Sequence, residues 1–403
     1  MKLTLLFDLD GTLLDTDLNS LVPAYFQSLA AHLAAHIPPE SLLKYLAAGT
    51  RAMLTNTDPT QTLREVFNHS FYPSLNVDPQ TLAPFIEDYY DNVFPALQAH
   101  AKQIDGAQEL MDWAFSRGHR VAIATSPFFP RKATLARLRW AGLPPEKYPF
   151  EIISSYETFH FLKPHPAYVA EMMARLGWPD GPAIMVGNDV EQDLRPAAIL
   201  GLSTFHTLDT TPSANGFAPT GRGHLAQLSA WLESTDPSAL VPGYTSPESS
   251  LAILRATPAA LTSLLEPESV SALTTRPAPE EWSVTEVLCH MRDVEREIDQ
   301  PRIELIVNED EPFIPAQMPD AWVTVREYAR EDAYSALQAF RSARLETLER
   351  LVALDSAQWA RKARHAIFGP TPLSELVAFN AEHDRMHIQQ IFKCLIDLHA
   401  GSD

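Results

Sequence analysis

Two short stretches of the sequence place side chains at spacings that suit chemistry. In "LLFDLDGTLLD", one residue separates the carboxylates of Asp8 and Asp10, directly after an apolar run. Two carboxylates this close can act as a nucleophile and a general acid/base, and a divalent metal would offset their repulsion. In "FNAEHDRMHIQQIF", His383 and His387 are four residues apart, so on a helix they lie on one face. They are either buried core residues or part of a metal site.

Three further segments of the first half each place polar residues after a strand-like run. "AIATS" presents Thr125 and "FLKPHP" presents Lys163. "MVGNDVEQD" presents Asp189 and Asp193. Each segment alone is also typical of a turn, a surface loop or a solvated helix face. Together with Asp8 they supply, in order, a nucleophile, a hydroxyl donor, a cation and an acidic metal-binding loop.

The elements that must position these residues divide at residues 233–250, which are rich in Pro, Ser and Thr. Before this segment, amphipathic stretches alternate with short β-type runs: "LTLLF", "RVAIAT", "FEIISS", "AIMVG" and "LSTF". This alternation predicts an α/β fold with a doubly wound parallel sheet, whose ligands bind at the carboxyl ends of the strands. Residues 15–102 have an entirely helical pattern and predict a helical lobe inserted after the first strand.

The second half shows no strand-like alternation and predicts an all-α four-helix bundle. The expected helices cover residues 246–265, 283–307, 325–354 and 371–399, and "SVTE" at Ser283 has the form of a capping box. We therefore expect a first domain at 1–235, a linker at 236–245 and the bundle at 246–403.

Three histidines of the second half are expected to point into the bundle. His383 and His387 continue the apolar stripe of their helix, and His290 shares a face with valines of another helix. Three neutral imidazoles around one open position would suit Zn²⁺, Ni²⁺ or Fe²⁺, but the spacing fits ordinary buried histidines equally well. A peptidase is disfavoured, because Asp384 stands where the H-E-x-x-H pattern has its glutamate.

Other polar residues near these histidines have weaker signals. Asp293 and Glu295 could orient His290 from a second layer, although on a charged helix such residues are more often solvated. His365 lies in a loop-like segment and is expected at the surface of the bundle. Cys289 points about 100° away from His290 on the helix, so it is a poor fourth ligand.

The bulk properties limit the partners. The 403 residues carry 51 acidic and 31 basic side chains, a net charge of −20, which disfavours nucleic acid and anionic membranes. The two cysteines, Cys289 and Cys394, are too few for a disulfide framework and fit a reducing cytosol. The first residues do not form a signal peptide, and no apolar run is long enough to span a bilayer. We expect a soluble, cytoplasmic protein.

The four motifs of the first half, in this order over residues 1 to about 232, resemble the haloacid dehalogenase (HAD) superfamily. The helical lobe at residues 15–102 resembles the helical cap that this superfamily inserts after its first motif. The resemblance implies that Asp8 attacks phosphorus and forms an aspartyl-phosphate, and that Asp10 protonates the leaving oxygen and then activates water. It also implies that Thr125 binds a phosphoryl oxygen and that Lys163 balances the negative charge.

The same resemblance implies a Mg²⁺ site. Its ligands would be Asp8, the backbone carbonyl of Asp10, and Asp189, with Asp193 in support. An aspartate at position 10 separates this sequence from the dehalogenases, phosphonate hydrolases and cation pumps of the superfamily. It implies a phosphatase for a small phosphorylated metabolite, a phosphate monoester, or alternatively a phosphomutase of the β-phosphoglucomutase type.

In the second half, "EEWSVTEVLCHMRDVE", "RHAIFGP" and "AEHDRMHIQQI" resemble the DinB-like superfamily over residues 246 to about 398. Its members are four-helix bundles with a three-histidine metal site, which implies that His290, His383 and His387 bind a second divalent metal. Some relatives use low-molecular-weight thiols and others have no established activity, so the activity of this half is unassigned. A purely structural or dimerising bundle is the alternative, and a homodimer is compatible with the sequence.

Overall fold

A computed structural model of the chain describes residues 2–75, 77–207 and 216–400. The chain forms two compact units. The first contains the chain up to Val169 together with Pro179–Gly243, and the second contains Ala170–Trp178 with the chain from Tyr244 onward. The domain limits expected from the sequence stay a proposal, and the last three residues of the expected bundle, 401–403, lie outside the described residues.

The first unit is built on a parallel six-stranded sheet. The strands of this unit are β1 (Thr4–Phe7), β2 (Leu14–Thr16), β3 (Ala101–Gln103), β4 (Arg120–Ile123), β5 (Ile152–Ile153), β6 (Ala183–Gly187), β7 (Ser203–His206) and β8 (Gly221–Arg222). The order in the large sheet is β5-β4-β1-β6-β7-β8. β1 lies between β4 and β6 in parallel register and its four residues are buried, as an apolar strand covered on both faces requires. The predicted α/β fold class is confirmed.

Helices surround this sheet and form the cap. The helices up to residue 234 are α1 (Leu18–His32), α2 (Pro39–Leu54), α3 (Leu63–Leu75), α4 (Pro79–Asp88), α5 (Ala107–Ser116), α6 (Arg131–Trp140), α7 (Pro166–Arg175), α8 (Arg195–Leu200) and α9 (Leu228–Ser234). Helix α7 begins in the first unit and continues into the second, which contains Ala170–Trp178. Helices α1 to α4 form the cap, followed by a π-helical turn at Tyr89–Val93 and a 3-10 segment at Phe94–His100. The expectation that residues 15–102 are entirely helical is wrong at both ends. There β2 and β3 form an antiparallel pair of three residues each, too short to give a readable period.

The second unit contains four long helical segments. Its helices are α10 (Pro247–Leu265), α11 (Val270–Thr274), α12 (Val284–Val294), α13 (Gln300–Asn308), α14 (Trp322–Val325), α15 (Ala333–Ala353), α16 (Ser356–Trp359) and α17 (Leu373–Ala400). A π-helical turn at Glu295–Asp299 joins α12 to α13, and Ser283 caps α12 in the predicted capping box. Helix α10 packs against α15 and α17, and α12 packs against the same two helices. The predicted helical second half is confirmed.

Two details of the second unit differ from the expectation. The third long helix begins at Ala333 rather than at 325, because Glu327 has a positive φ and a 3-10 turn follows it. A small sheet also forms from β9 (Phe313–Ile314), β10 (Lys362–His365) and β11 (Gly369–Pro372). The sequences of these strands, "FI", "KARH" and "GPTP", contain no sustained apolar run or alternation that would predict them. Within the described parts of the chain, no helix combines the length and apolarity needed to cross a membrane.

Candidate functional site

The residues that follow β1 lie at the carboxyl end of the sheet. The chain leaves β1 at Phe7, and the backbone N–H of Asp8 still bonds to the carbonyl of Val186 on β6, at 2.9 Å. Three residues after Asp8, Gly11 has a φ of +85°, and a Cβ there would lie 2.5 Å from the amide nitrogen of Asn188. Glycine is therefore required at this turn. The hydroxyl of Thr12 lies 3.2 Å from a carboxylate oxygen of Asp8 and 3.2 Å from the amide oxygen of Asn188, and these two acceptors share its one hydrogen.

Lys163 joins two buried carboxylates. Its Nζ lies 2.8 Å from Asp8 and 2.7 Å from Asp193, and all three side chains are buried. Burial raises the pKa of Asp8 to about 7, Asp193 also raises it, and Lys163 acts in the opposite direction. Burial alone would lower the pKa of Lys163, but Asp193 and Asp8 outweigh it, so this pKa lies above its ordinary value. Lys163 is therefore a charged group that balances the carboxylates.

Asp10 has different partners. It accepts a hydrogen bond from Thr16 at 2.8 Å and a very close one from Arg137, which lies on α6 and is 2% exposed. Arg137 also donates to Thr134 and stacks on Phe129. Sequence reasoning missed Arg137. The sequence did contain a signal for it: Arg137 is four residues after Ala133 and three after Thr134, so it lies on the buried face of α6.

The other predicted residues complete the same region. Thr125 follows β4 and is buried, and its carbonyl accepts hydrogen bonds from Ser154 at 2.6 Å and Tyr168 at 2.8 Å. Asp189 is exposed and accepts from the backbone N–H groups of the next turn, while its own N–H donates to Asp193 at 3.1 Å. The structure thus joins Asp8 and Asp193 through Lys163, and turns the carboxylates of Asp10 and Asp189 to other partners.

One cavity of about 860 Å³ in the first unit is lined by all the predicted residues of this half. These are Asp8, Asp10, Thr125, Lys163, Asp189 and Asp193. The remaining lining comes largely from the cap helices and from α6. The donors at the sheet end are carboxylate and other oxygens, the ligands that Mg²⁺ prefers, so the residues present fit that ion.

The three predicted histidines of the second unit meet. His383 Nε2 lies 3.2 Å from His290 Nε2 and 3.1 Å from His387 Nε2. Among the described residues, these three form the group whose ligand atoms come within 4.8 Å of one another. Three nitrogens at about 2.0–2.1 Å from a tetrahedral metal would be about 3.3–3.4 Å apart, so the geometry fits a metal ion.

Hydrogen bonding alone accounts poorly for this cluster. A neutral imidazole has one N–H, so the Nε2 of His383 cannot satisfy both neighbouring nitrogens well. His290 Nδ1 is buried and has no hydrogen-bond partner, while His387 Nδ1 bonds to Gln390 at 2.9 Å. A shared cation would satisfy all three Nε2 lone pairs.

The surroundings keep these imidazoles neutral. Burial and the neighbouring His387 lower the pKa of His290 to about 3. Burial and the other two rings hold the pKa of His383 well below its usual value, and burial lowers that of His387. Trp282 covers the cluster, with its ring 5.1 Å from that of His290 and 6.1 Å from that of His387. Metal binding requires neutral imidazole, so protonation does not oppose it here.

Three expectations about the neighbours of the histidines are corrected. Asp293 and Glu295 are buried rather than solvated, and they bond to other residues rather than to His290. Asp293 accepts from Tyr328 at 2.6 Å, and Glu295 accepts from Arg344 at 2.7 Å. His365 lies in β10 and is 6% exposed, because the unforeseen small sheet covers it.

Comparison with known proteins agrees with both halves. Residues 5–206, about half of the chain, match the haloacid dehalogenase-like hydrolases, and residues 253–391 match the DinB superfamily. The chain therefore belongs to the haloacid dehalogenase-like hydrolases and carries a DinB-like domain after the hydrolase domain. The predicted resemblance and the prediction of a hydrolase related to phosphatases are confirmed.

Two relatives and one structure illustrate the similarity. A phosphoglycolate phosphatase from Mesorhizobium japonicum is 27% identical over 199 residues, 49% of this chain and 79% of the relative. The pyrophosphatase PpaX from Bacillus pumilus is 28% identical over 192 residues, 46% of this chain and 74% of the relative. The YfiT structure from Bacillus subtilis, described as a probable metal-dependent hydrolase with an unusual four-helix bundle topology, is 20% identical. The match to YfiT covers 40% of this chain and 89% of that chain, with a TM-score of 0.34.

Proposed function

We propose that the first unit is a Mg²⁺-dependent phosphatase that hydrolyses a phosphate monoester through an aspartyl-phosphate on Asp8. The observation that carries this proposal is the buried Asp8 carboxylate, held by Lys163 on the wall of an 860 Å³ cavity. A carboxylate oxygen of Asp8 forms the bond to phosphorus while the bond to the ester oxygen breaks. Asp10 gives its proton to that leaving oxygen, and then takes a proton from the water that cleaves the aspartyl-phosphate.

The remaining residues of the site bind the phosphoryl group or position the carboxylate of Asp10. The hydroxyl of Thr125 donates to a phosphoryl oxygen, and Lys163 balances the charge that collects on Asp8 and the phosphoryl group. Arg137 and Thr16 are positioning residues, because both donate to the carboxylate of Asp10 and fix its direction.

Magnesium would be held by oxygens of this chain. The ligands would be Asp8, the backbone carbonyl of Asp10, and Asp189, with Asp193 in support. When bound, the ion neutralises negative charge on the phosphoryl group. The chain itself supplies the nucleophile, the acid and the lysine.

The test compares Asp8→Asn with Asp15→Asn, an exposed acid outside the site. We expect Asp8→Asn to reduce phosphate release from p-nitrophenyl phosphate with Mg²⁺ to background, while Asp15→Asn keeps full turnover. Both should give wild-type circular dichroism. Full turnover by Asp8→Asn would refute the nucleophile. Conversion of a hexose phosphate to its isomer without free phosphate would identify the phosphomutase alternative.

We propose further that His290, His383 and His387 bind one divalent metal, Zn²⁺, Ni²⁺ or Fe²⁺. The three Nε2 atoms at 3.1–3.2 Å carry this proposal. Thiol-dependent chemistry is the activity to test once metal is found. Elemental analysis of the full chain should give about one such ion per molecule, and its absence would favour the purely structural bundle.

The setting of the protein also stays a proposal. We propose a cytoplasmic enzyme that acts on a small phosphorylated metabolite, in line with the net charge of −20. Light scattering would decide between a monomer and a homodimer.

A further inference from the structure

The cavity beside Asp8 has two chemically different walls. The wall at the sheet end carries the charged and hydroxyl groups already described. The wall formed by the cap is apolar and shielded from solvent. Its buried members include Leu29, Leu33, Leu42, Leu46, Met53 and Phe71.

Polar groups of the cap wall are largely occupied within the protein. The hydroxyls of Tyr25 and Tyr90, both on this wall, bond to each other at 2.8 Å. Lys132 lines the cavity from α6, and its ammonium is paired with two acids of the cap, Asp91 at 2.7 Å and Glu87 at 2.5 Å. This wall therefore offers burial of apolar surface more than new hydrogen bonds.

Four further residues of the cap with polar groups line the same cavity: Thr50, Arg64, Asn68 and Tyr72. Arg64 is exposed, so water reaches its charge, and the buried members of the cap wall remain apolar. The volume, about 860 Å³, lies in the range of pockets that enclose drug-sized ligands. A two-carbon polar ester would leave most of the apolar wall in contact with water.

We propose that the substrate is a phosphate monoester of an apolar alcohol, with an alkyl chain or ring that packs against the cap wall. This inference rests on the proposed phosphatase and adds its substrate class. The phosphate group would meet Lys163 and Thr125, and the apolar group would fill the space between α1, α2 and α3. The preference follows from the free energy of burying apolar surface.

The test measures kcat/KM of the full chain with Mg²⁺ for n-alkyl phosphates from ethyl to octyl, beside phosphoglycolate and p-nitrophenyl phosphate. We expect kcat/KM to rise about fourfold for each methylene that is buried, and phosphoglycolate to be the poorest substrate. A flat series, or phosphoglycolate above octyl phosphate, would overturn the substrate class while the phosphatase stands. Hydrolysis of none of these esters would refute the phosphatase itself, and the substrate class with it.

A pair of variants separates the cap wall from general effects. Phe26 is half-buried on α1 and lines the cavity, whereas its neighbour Gln27 is exposed and does not line it. We expect Phe26→Asn to reduce the gain per methylene, and Gln27→Ala to leave the whole series as in the wild type. Thermal unfolding of both variants checks that they fold. If folded Phe26→Asn shows the same gain in kcat/KM per methylene as the wild type, the proposed contact between the alkyl chain and the cap wall is contradicted.

Discussion

The two candidate sites differ in the charge of the groups that face each other. In the first unit, buried carboxylates face cations of the same chain, with Lys163 between Asp8 and Asp193, and Arg137 on Asp10. In the second unit, three neutral imidazoles face one another, and His290 Nδ1 has no hydrogen-bond partner. The carboxylates of the first site therefore already have cationic partners within the chain. In the second site the Nε2 atoms of the imidazoles face one another, and we propose that a cation joins them.

The second unit also contains buried charged residues, and these pair with one another rather than with the three histidines. Arg344 is 1% exposed and pairs with Glu295 and with Asp384, the residue next to His383. Burial and the charge of Glu295 raise the pKa of nearby Asp299 well above its usual range. Asp384 of this ionic cluster therefore lies on the same helix, α17, as His383 and His387.

The largest effect is expected when the central cation of the carboxylate site, Lys163, is removed. Lys163→Met leaves Asp8 and Asp193 buried without a counter-charge, so we expect a loss of stability of about 3–5 kcal/mol and a fall in phosphatase kcat of at least about 10²–10³-fold. Urea unfolding and phosphate release measure the two effects. Lys102→Met, at an exposed lysine, should change neither. Normal stability of Lys163→Met would show that the carboxylates do not need this cation.

The ionic cluster of the second unit should respond in stability alone. Arg344→Met removes the shared partner of Glu295 and Asp384, and we expect a loss of about 3–5 kcal/mol with no direct effect on phosphatase turnover. The control is Arg330→Met, because Arg330 forms an exposed pair with Glu327 that contributes at most about 0.5 kcal/mol. If urea unfolding gives the same loss of stability for both variants, burial does not make the Arg344 ion pairs more important than the exposed pair.

Replacing two of the histidines tests whether the second site depends on its ligand. We expect His383→Ala/His387→Ala to lose the bound metal and, with metal at about 100 times Kd, to lose about 2.7 kcal/mol of stabilisation. Elemental analysis and thermal unfolding with and without added metal give the two readouts.

The control for this pair is His399→Ala, at an exposed histidine of the same helix. It should keep the metal and the metal-dependent shift in Tm. The metal site would be refuted if the wild-type protein holds no metal and its Tm does not change when Zn²⁺, Ni²⁺ or Fe²⁺ is added. The three residues would then be ordinary buried histidines.

The smallest expected effect concerns the direction of Asp10. Arg137→Met should lower turnover of an alkyl phosphate about tenfold more than turnover of p-nitrophenyl phosphate, because the nitrophenolate leaves without a proton from Asp10. A merely structural role would lower both equally. Arg139→Met, at an exposed residue of the same helix, should leave the ratio unchanged. Partial recovery of the ratio by Arg137→Lys would support the hydrogen bond to Asp10.

Sequence reasoning succeeded where a signal was local or periodic. Five apolar runs predicted the strands β1, β4, β5, β6 and β7, and "SVTE" predicted the cap of α12. It failed for β2 and β10, because their sequences, "LDT" and "KARH", contain no apolar run. It also placed His365 at the surface, since the strand that covers it could not be seen.

The sequence by itself determined which residues could do chemistry, because the residue type and its place after a strand or on a helix face are local properties. Asp8, Lys163 and the histidines were found in this way. Only the tertiary structure decided how those residues are paired. The contact of Arg137 with Asp10 joins residues 127 positions apart, and that of His290 with His383 joins residues 93 apart. Burial, charge balance and the apolar cap wall arise from such distant contacts, so no short segment of the chain contains them.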